Sequence, residues 1–331
     1  MTRAVLGLDV GGANLKAAHT AGVARSRSFA LWKEPGGLAD ALHGLIAGMP
    51  TADLVAVTMT GELCDCYESK RHGVVAILEA VQHAVGRAPV QVWRTDGRFC
   101  DVATAKTEPL RAAAANWLAM ATYVGRLVPS GPALVLDIGS TTTDLVPLKD
   151  GKPIPKGRTD PERLRTSELV YTGVRRTPLC AVLAGQGAAE LFATTLDAYL
   201  VLGELPEDPN NRETADGRAA TRAAAHARLA RMLCADLESS TEQERRALAL
   251  KATVRQEVMI GFALERVAER LPGAPQAVVL AGEGEFLAFR SLGRQERFPP
   301  CQVIGLGQRL GEATSRAACA YAVAMLAAEA E

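Results

Sequence analysis

The sequence predicts an α/β protein with two lobes, and two observations support this fold class. The chain has 331 residues and 48% hydrophobic content, enough for two domains with cores of their own. The same pattern begins near residue 5 and again near residue 133. In each copy, a short apolar run leads into a glycine turn, and a second short run follows the turn. Because a cluster of chain-breaking residues, 128–132, separates the two copies, we predict one lobe over 1–128 and a second over 133–331.

The composition limits the classes of partner. Lys plus Arg and Asp plus Glu both total 37, so no net charge draws the chain to nucleic acid or to an anionic membrane. No stretch approaches the roughly 20 apolar residues of a membrane span. The chain opens with a carboxylate at Asp9 and two glycines where a signal peptide needs an apolar run, and its seven cysteines are scattered. We therefore expect a cytoplasmic protein with reduced thiols.

In the first half, apolar and β-branched runs predict strands and helical spacing predicts helices. The predicted strands are Val5–Leu8, Leu15–His19, Arg25–Trp32, Leu54–Met59 and Val90–Trp93. The predicted helices are Gly37–Ala47, Ser69–Val85 and the alanine-rich segment Glu108–Leu127.

The second half restarts the same order. Its predicted strands are Ala133–Leu136, Thr143–Leu148, Ala277–Leu280 and Gln302–Ile304, and its predicted helices are Ala219–Leu237, Thr241–Leu271, one from Glu285, and Glu312–Ala330. The polar segment 203–217 is expected to be a loop or lid. The terminal alanine-rich helix is expected to pack against the first lobe, or between copies of a homo-oligomer.

The two glycine turns are the candidate ligand-binding loops. A phosphate needs several backbone N–H groups converging on it, and only glycine lets a turn bring the main chain that close. One such turn alone is more often only a hairpin, but the same turn at the start of both halves is stronger evidence. The predicted binding residues are Gly11, Gly12, Asn14 and Lys16 in the first turn, and Gly139, Ser140, Thr141 and Thr142 in the second.

Carboxylates accompany both turns. Asp9 and Asp137 end the strands that enter the turns, and Asp144 follows the second turn. Carboxylate oxygens, directly or through water, are the ligands that Mg²⁺ prefers. We therefore predict Mg²⁺ held by Asp9, Asp137 and Asp144, with Lys16 on the phosphate.

A charged segment joins the strand at Leu54–Met59 to the following helix. It contains Glu62, Asp65, Glu68 and Lys70, and charged side chains at the end of a buried strand are typical of a catalytic site. The alternative is that Asp65 and Glu68 only cap and pre-charge the helix.

A third turn at Gly282-Glu283-Gly284 completes a set of three. The set resembles the phosphate-1, phosphate-2 and adenosine motifs of the actin, sugar-kinase and heat-shock-protein superfamily, which implies two ribonuclease-H-like lobes around a central cleft. It also implies ligand contacts at Gly282 and Gly284. Superfamily members usually have two adjacent glycines in the third turn, and the carboxylate of Glu283 there argues against ATP as the ligand.

Four segments together narrow the resemblance: DVGGANLK, MTGELCDCYESKRHGV, DIGSTTTDLVPL and TADGR. They resemble a hydantoinase/oxoprolinase-like family of the tetrahydromethanopterin-linked C1-transfer pathway, whose archaeal members include methanofuran-biosynthesis synthases. The resemblance implies a transferase that joins a furan-methyl diphosphate to the phenol of a tyramine or tyrosine derivative and releases diphosphate. It implies diphosphate stabilised by glycine-loop amides, Mg²⁺ and Lys16 or Lys70, and a base among Glu62, Asp65 and Glu68.

Two other functions stay open from the sequence. One is an ATP-dependent small-molecule kinase or a hydantoinase/oxoprolinase-type hydrolase, and the other is a non-enzymatic sensor or scaffold that has kept the cleft. Other charged groups are expected to be solvated rather than functional, namely the pairs Arg175–Arg176 and Arg163 with Arg165. Cys64 and Cys66 are too close together in sequence, and without a second pair, to predict a zinc site.

Overall fold

The computed structural model describes residues 3–295 and 298–330. It contains two six-stranded mixed sheets, one in each half of the chain, which enclose a central cleft. The predicted two-lobed α/β fold is confirmed. The exact domain limits, 1–128 and 133–331, stay a prediction.

The first sheet has the order β3-β2-β1-β4-β5-β6. Its strands are β1 (Val5–Val10), β2 (Asn14–His19), β3 (Ala24–Ser28), β4 (Leu54–Met59), β5 (Val90–Trp93) and β6 (Phe99–Asp101). The hairpin of β1 and β2 is antiparallel, and β1 pairs in parallel with β4. Because parallel strands need a crossover, the helix between them in sequence lies on a face of the sheet.

The second sheet contains β7 (Pro132–Ile138), β8 (Thr143–Lys149), β9 (Lys152–Pro153), β10 (Leu169–Val170), β11 (Ala277–Ala281) and β12 (Gln302–Gly305). Its main path is β10-β8-β7-β11-β12, and β9 pairs with β8. As in the first sheet, an antiparallel hairpin, β7 with β8, adjoins a parallel strand, here β11. The repeated turn in the sequence therefore reflects a repeated unit in the fold.

Helices cover the sheets. They are α1 (Leu38–Ile46), α2 (Lys70–Val85), α3 (Val102–Thr107), α4 (Pro109–Ala112), α5 (Asn116–Val124), α6 (Asp160–Thr166), α7 (Leu179–Leu183), α8 (Thr195–Leu202), α9 (Arg222–Met232), α10 (Glu242–Ala268), α11 (Glu285–Gly293), α12 (Leu306–Leu310), α13 (Glu312–Arg316) and α14 (Ala318–Glu329). Among the described helices, none combines the length and apolar character that crossing a membrane requires.

The helices α5 and α14 join the two lobes. One apolar cluster contains Val5 and Leu54 of the first sheet, Val135 and Val279 of the second, and buried residues of both helices. The chain's last helix also packs against β1, β2 and β4, so it returns to the first sheet. Shared burial of this kind couples the stability of the two halves.

The predicted helix Glu108–Leu127 is wrong in its continuity, since the segment forms α4, α5 and a 3₁₀ turn over Gly125–Leu127. Ala113 is extended and Ala114 has a φ of 47°, in the left-handed region, which ends α4 before α5 begins. Alanine favours helix intrinsically, but Ala112 and Ala115 are completely buried on either side of the break. Tertiary packing of these small side chains outweighs the local preference.

Other predicted boundaries also differ from the structure. The third strand ends at Ser28, because Phe29 and Leu31 instead donate backbone hydrogen bonds to the first glycine turn. The helix predicted over Ala219–Leu237 covers only Arg222–Met232, and the terminal helix is divided at Ala317 into α13 and α14. Several short elements of the second half, such as α6 and β10, had no predicted counterpart because each is too short to show a period.

We predict that Gly7→Ala destabilises the protein by about 1–3 kcal/mol, because a Cβ at Gly7 would overlap the backbone carbonyl oxygen of Ala320 on α14. Urea unfolding of the purified protein measures the change. Gly36→Ala is the matched control, since no atom lies within 4 Å of its added Cβ. Equal midpoints for the two variants would contradict the close packing of α14 on β1.

Candidate active site

The cleft contains a cavity of about 360 Å³ at the ends of β1, β4, β7 and β11. Both glycine turns open into it. The sequence-predicted residues that line it are Asp9, Gly11, Gly12, Asn14, Lys16, Glu62, Asp65, Asp137, Gly139, Ser140, Thr141, Thr142, Asp144 and Gly282. Three predicted residues do not line the cavity: Glu68, Lys70 and Gly284. Lys70 nevertheless contacts Glu62, which does line it.

The first turn requires glycine for steric reasons. Its closing hydrogen bond runs from the Gly11 amide to the Asn14 carbonyl oxygen over 3.1 Å. A Cβ at Gly11 would lie 2.8 Å from that oxygen, and one at Gly12 would lie 2.6 Å from Cys64 Sγ. The backbone can therefore approach a ligand only because both side chains are absent.

The second turn repeats this geometry and faces the first. The Gly139 amide donates to the Thr142 carbonyl oxygen over 2.9 Å. Asn14 Nδ2 of the first turn donates to Ser140 Oγ of the second over 3.4 Å. The two turns thus meet across the cleft, as a cradle for one oxyanion group requires.

The segment Gly173–Arg176 supports the second turn from behind. The amides of Arg175 and Arg176 both donate to the Ser140 carbonyl oxygen over 3.0 Å. A Cβ at Gly173 would lie 2.5 Å from the Gly139 oxygen and from the Thr141 nitrogen. Glycine at 173 therefore lets this segment lie directly on the turn.

Four ionisable side chains form two cross-strand pairs beneath the turns. Asp9 is opposite Lys16 in the hairpin of β1 and β2, and Asp137 is opposite Asp144 in the hairpin of β7 and β8. Burial raises the pKa of Asp9 and of Asp144 and raises the pKa of Asp137 to about 7, to which the neighbouring Asp144 contributes. Burial alone would lower the pKa of Lys16, but Asp9 and other anionic neighbours raise it.

Arg163 of α6 balances part of this negative charge. Its Nη1 donates to Asp144 Oδ1 over 2.7 Å, its side chain is 1% exposed, and its guanidinium lies 4.0 Å from the ring centroid of Trp117. The prediction that Arg163 is solvated is wrong, because the buried Asp144 and the aromatic ring hold it inside the protein.

The carboxylate cluster suits a divalent cation through indirect contacts. In the described ranges, no three His, Cys, Asp or Glu side chains are close enough to hold a metal ion by themselves. However, Asp9 Oδ1 is buried without a hydrogen-bond partner, and three carboxylates face the two cations Lys16 and Arg163. Mg²⁺ that keeps several waters and binds phosphate oxygens needs only one or two such carboxylates.

The charged segment after β4 contributes Glu62 to the cavity. Its side chain is 1% exposed, its Oε1 lies 3.8 Å from Lys70 Nζ, and its Oε2 has no hydrogen-bond partner. Burial raises the pKa of Glu62 to about 7, although the Lys70 charge opposes the rise. Lys70 in turn bonds Asp160 of α6 over 3.0 Å, which links the two lobes.

The other carboxylates of that segment differ from Glu62. Asp65 lines the cavity but is exposed, and Glu68 is exposed outside it. Neither side chain caps α2, since the cap is Ser69, whose hydroxyl accepts from the His72 amide. Of the three carboxylates in this described segment, Glu62 alone is buried and lines the cavity.

The third turn separates this cavity from a second one of about 350 Å³. Gly282 has a φ of 86°, and a Cβ there would overlap Asp137 Oδ1. Gly284 is instead a packing position, because its Cβ would lie 2.6 Å from the Ile138 side chain. Glu283 lines the second cavity, and Arg175 Nε contacts both of its carboxylate oxygens at 2.8 Å.

Sequence reasoning missed several cavity residues. They are Trp32, Thr60, Asn116, Trp117, Asp160, Arg163, Arg176, Ser315, Arg316 and Cys319. Most come from short loops or helix ends that no periodic pattern marks. The sequence drew attention to Arg163 and Arg176 as members of two arginine pairs, but predicted both to be solvated.

Two facing lobes with glycine turns at the strand ends define a protein with the fold of the actin-like and sugar-kinase superfamily. Among solved structures, nucleotide-free acetone carboxylase superposes with a TM-score of 0.58 at 12% identity, over 98% of this chain and 70% of that one. The chain belongs to the hydantoinase/oxoprolinase family, whose pattern matches residues 53–288.

Two relatives cover much of the chain. A protein of Methanocaldococcus jannaschii, named (4-{4-[2-(gamma-L-glutamylamino)ethyl]phenoxymethyl}furan-2-yl)methanamine synthase, is 33% identical over an alignment of 333 positions that covers 97% of each chain. A protein of the same name from Methanococcus vannielii is 30% identical over an alignment of 204 positions that covers 58% of this chain and 89% of that one. The family predicted from the four sequence segments is confirmed.

We predict that Arg163→Met lowers the free energy of unfolding by about 3 kcal/mol, because it leaves Asp144 buried without its counter-charge. Adding Asp144→Asn should recover at least about 1 kcal/mol of that loss, since the amide carries no charge. Urea unfolding of the two single variants and the double variant measures the coupling. Strictly additive losses would show that the two side chains do not interact.

Proposed function

We propose that the chain is a synthase that forms an aryl–alkyl ether, by joining the phenol oxygen of a tyramine or tyrosine derivative to the methyl carbon of a furan-methyl diphosphate. The observation that carries the proposal is the meeting of two glycine turns over one cavity in a chain that matches a phenoxymethyl-furan synthase along 97% of its length. Such a reaction would be a step in the biosynthesis of a methanofuran-type C1-carrier cofactor.

The step balances without any oxidant or reductant. The bond between the furan methyl carbon and the diphosphate oxygen breaks, and diphosphate keeps the electron pair. The phenol oxygen forms a bond to that carbon and loses its proton to a base. Because the furan oxygen stabilises positive charge on the methyl carbon, the protein has two tasks: to stabilise diphosphate and to accept a proton.

The turns and Lys16 support the first task. The Gly11 and Gly139 amides close the turns, whereas Gly12, Ser140 and Lys16 line the cavity with backbone amides and an ammonium that could stabilise developing negative charge. Asp9, Asp137 and Asp144 would hold Mg²⁺ on the diphosphate, which supplies further neutralisation of the leaving group.

Glu62 is the best-supported base. A phenol has a pKa near ~10, so an ordinary carboxylate is a weak base for it. The raised pKa of Glu62, about 7, narrows this gap, and its Oε2 is buried without a hydrogen-bond partner. Lys70 and Asp160 hold it in place, which makes Lys70 a positioning residue in this scheme.

The reaction is proposed for the cytoplasm. All seven cysteines are free thiols, which suits a reducing compartment. The diphosphate and the phenol are the proposed partners, and assembly into a homo-oligomer stays a prediction from the sequence.

The test of the proposal is a single incubation. The protein with Mg²⁺, the aminomethyl-furan-methyl diphosphate and a tyramine or tyrosine derivative should release one pyrophosphate for each ether detected by mass spectrometry. A folded protein that releases no pyrophosphate with any of these phenols would refute the proposal.

We predict that Glu62→Gln lowers kcat by about 100-fold or more, because the amide cannot accept the phenol proton. In the wild type, activity should rise with pH through about 7, since a base works only when deprotonated. This limb should disappear from the pH profile of the residual activity in the variant.

Glu68→Gln is the matched control for this prediction, because Glu68 belongs to the same segment but lies outside the cavity. It should keep wild-type activity and the wild-type pH profile. Equal losses in the two variants would point to disturbance of the segment rather than to loss of a base.

An ATP-dependent kinase or hydrolase is the second candidate, and the cavity beyond Gly282 is the observation that favours it. Against it, the third turn carries Glu283 between its two glycines, where superfamily members usually have adjacent glycines, and Arg175 holds that carboxylate in the wall of the cavity. We predict that calorimetry with ATP and Mg²⁺ detects no micromolar binding, whereas pyrophosphate and Mg²⁺ bind. Micromolar ATP affinity would favour the second candidate.

A further inference from the structure

Arg176 and Trp32 meet above the two glycine turns, although they belong to opposite lobes. The Arg176 guanidinium carbon lies 4.2 Å from the centroid of the Trp32 ring, and both side chains line the cavity. Trp32 follows β3 and Arg176 follows β10, so the stack bridges the cleft.

Each partner is anchored to one of the turns. The Arg176 amide donates to the Ser140 carbonyl oxygen of the second turn over 3.0 Å. On the other side, the Leu31 amide, one residue before Trp32, donates to the Gly12 carbonyl oxygen of the first turn over 2.9 Å. The backbone thus fixes both side chains relative to the cradle.

Cys64, beside the first turn, lines the same cavity as Arg176. Burial raises the pKa of the Cys64 thiol to about 11, and the charge of Arg176 opposes part of that rise. Cys64 Sγ in turn lies directly beside Gly12, where it would be 2.6 Å from an added Cβ.

Arg176 differs from its neighbour in charge pairing. Arg175 points away and is paired with Glu283. In the ranges 3–295 and 298–330, by contrast, no carboxylate is within ion-pairing distance of Arg176, whose side chain is exposed to the cavity. A guanidinium that lies over an aromatic ring and has no carboxylate partner is available to bind an anion.

We propose that Arg176, oriented by the Trp32 ring, is a diphosphate-binding residue that closes the cradle from the side opposite the buried carboxylates. This inference rests on the proposed function, because it assigns Arg176 to the leaving group of that reaction. A planar guanidinium offers two parallel N–H donors that match two oxygens of a diphosphate, a fixed fork that an ammonium lacks, and it stabilises the charge that develops as the diphosphate departs.

The test is titration calorimetry with inorganic pyrophosphate and Mg²⁺. Arg176→Met should weaken binding about 10-fold to 100-fold, the range for a charge-assisted hydrogen bond. Arg176→Lys should recover only part of the loss, and Trp32→Leu should weaken binding about 3-fold to 10-fold through loss of the stacked ring. Arg165→Met, an exposed arginine of α6 outside the cavity, is the control and should bind as the wild type does.

The outcomes separate the two proposals. Pyrophosphate binding that depends on Arg176, without ether formation by the wild type, would refute the synthase and leave the anion site in place. Unchanged binding in Arg176→Met, with ether formation intact, would overturn the role of Arg176 alone. A wild-type protein that binds no pyrophosphate would overturn both.

Discussion

The surplus of negative charge beneath the glycine turns is the constraint on which the site depends. Asp9 is balanced by Lys16 across one hairpin, but Asp137 is opposite Asp144 across the other, and Arg163 neutralises only one of that pair. Like charges directly opposite each other destabilise a sheet. Burial, with the neighbouring Asp144 as a second cause, raises the pKa of Asp137 to about 7, and a bound cation would also offset the negative charge.

The fold keeps these carboxylates buried by close packing of backbone against backbone. Glycine at position 7 lets α14 lie on β1, and glycine at 282 lets the third turn lie against Asp137. The helices α5 and α14 fill the space between the sheets with an apolar cluster drawn from both. Water is thereby excluded on one side of the site, so an anion reaches the turns only from the cavity. Electrostatic contacts with such an anion are stronger for being partly desolvated.

The sequence predicted the parts of the site that depend on local chemistry. Glycine turns after apolar strands are recognisable because no other residue fits them, and their repetition predicted both the lobes and the facing loops. Asp9, Lys16, Asp137 and Asp144 followed from their positions beside those turns.

Residues whose role depends on tertiary contacts could not be predicted in this way. In the sequence Arg163 resembles a surface arginine, but α6 places it against Asp144. Trp32 was predicted in the third strand, but that strand ends earlier because the residues before Trp32 bond to the first glycine turn. Ala114 lies in a run of four alanines, where local preference favours helix, yet burial on both sides imposes a left-handed conformation. In each case the conformation or role of the residue depends on tertiary packing that its neighbours in sequence do not reveal.

A crystal structure with Mg²⁺ and pyrophosphate tests the central claim most directly. The account predicts one diphosphate between the turn of Gly11 and Gly12 and the turn of Gly139 to Thr142, with backbone nitrogens about 3 Å from its oxygens. Two results would contradict the account. One is pyrophosphate bound only in the second cavity beyond Gly282, and the other is no pyrophosphate between the two turns at a saturating concentration.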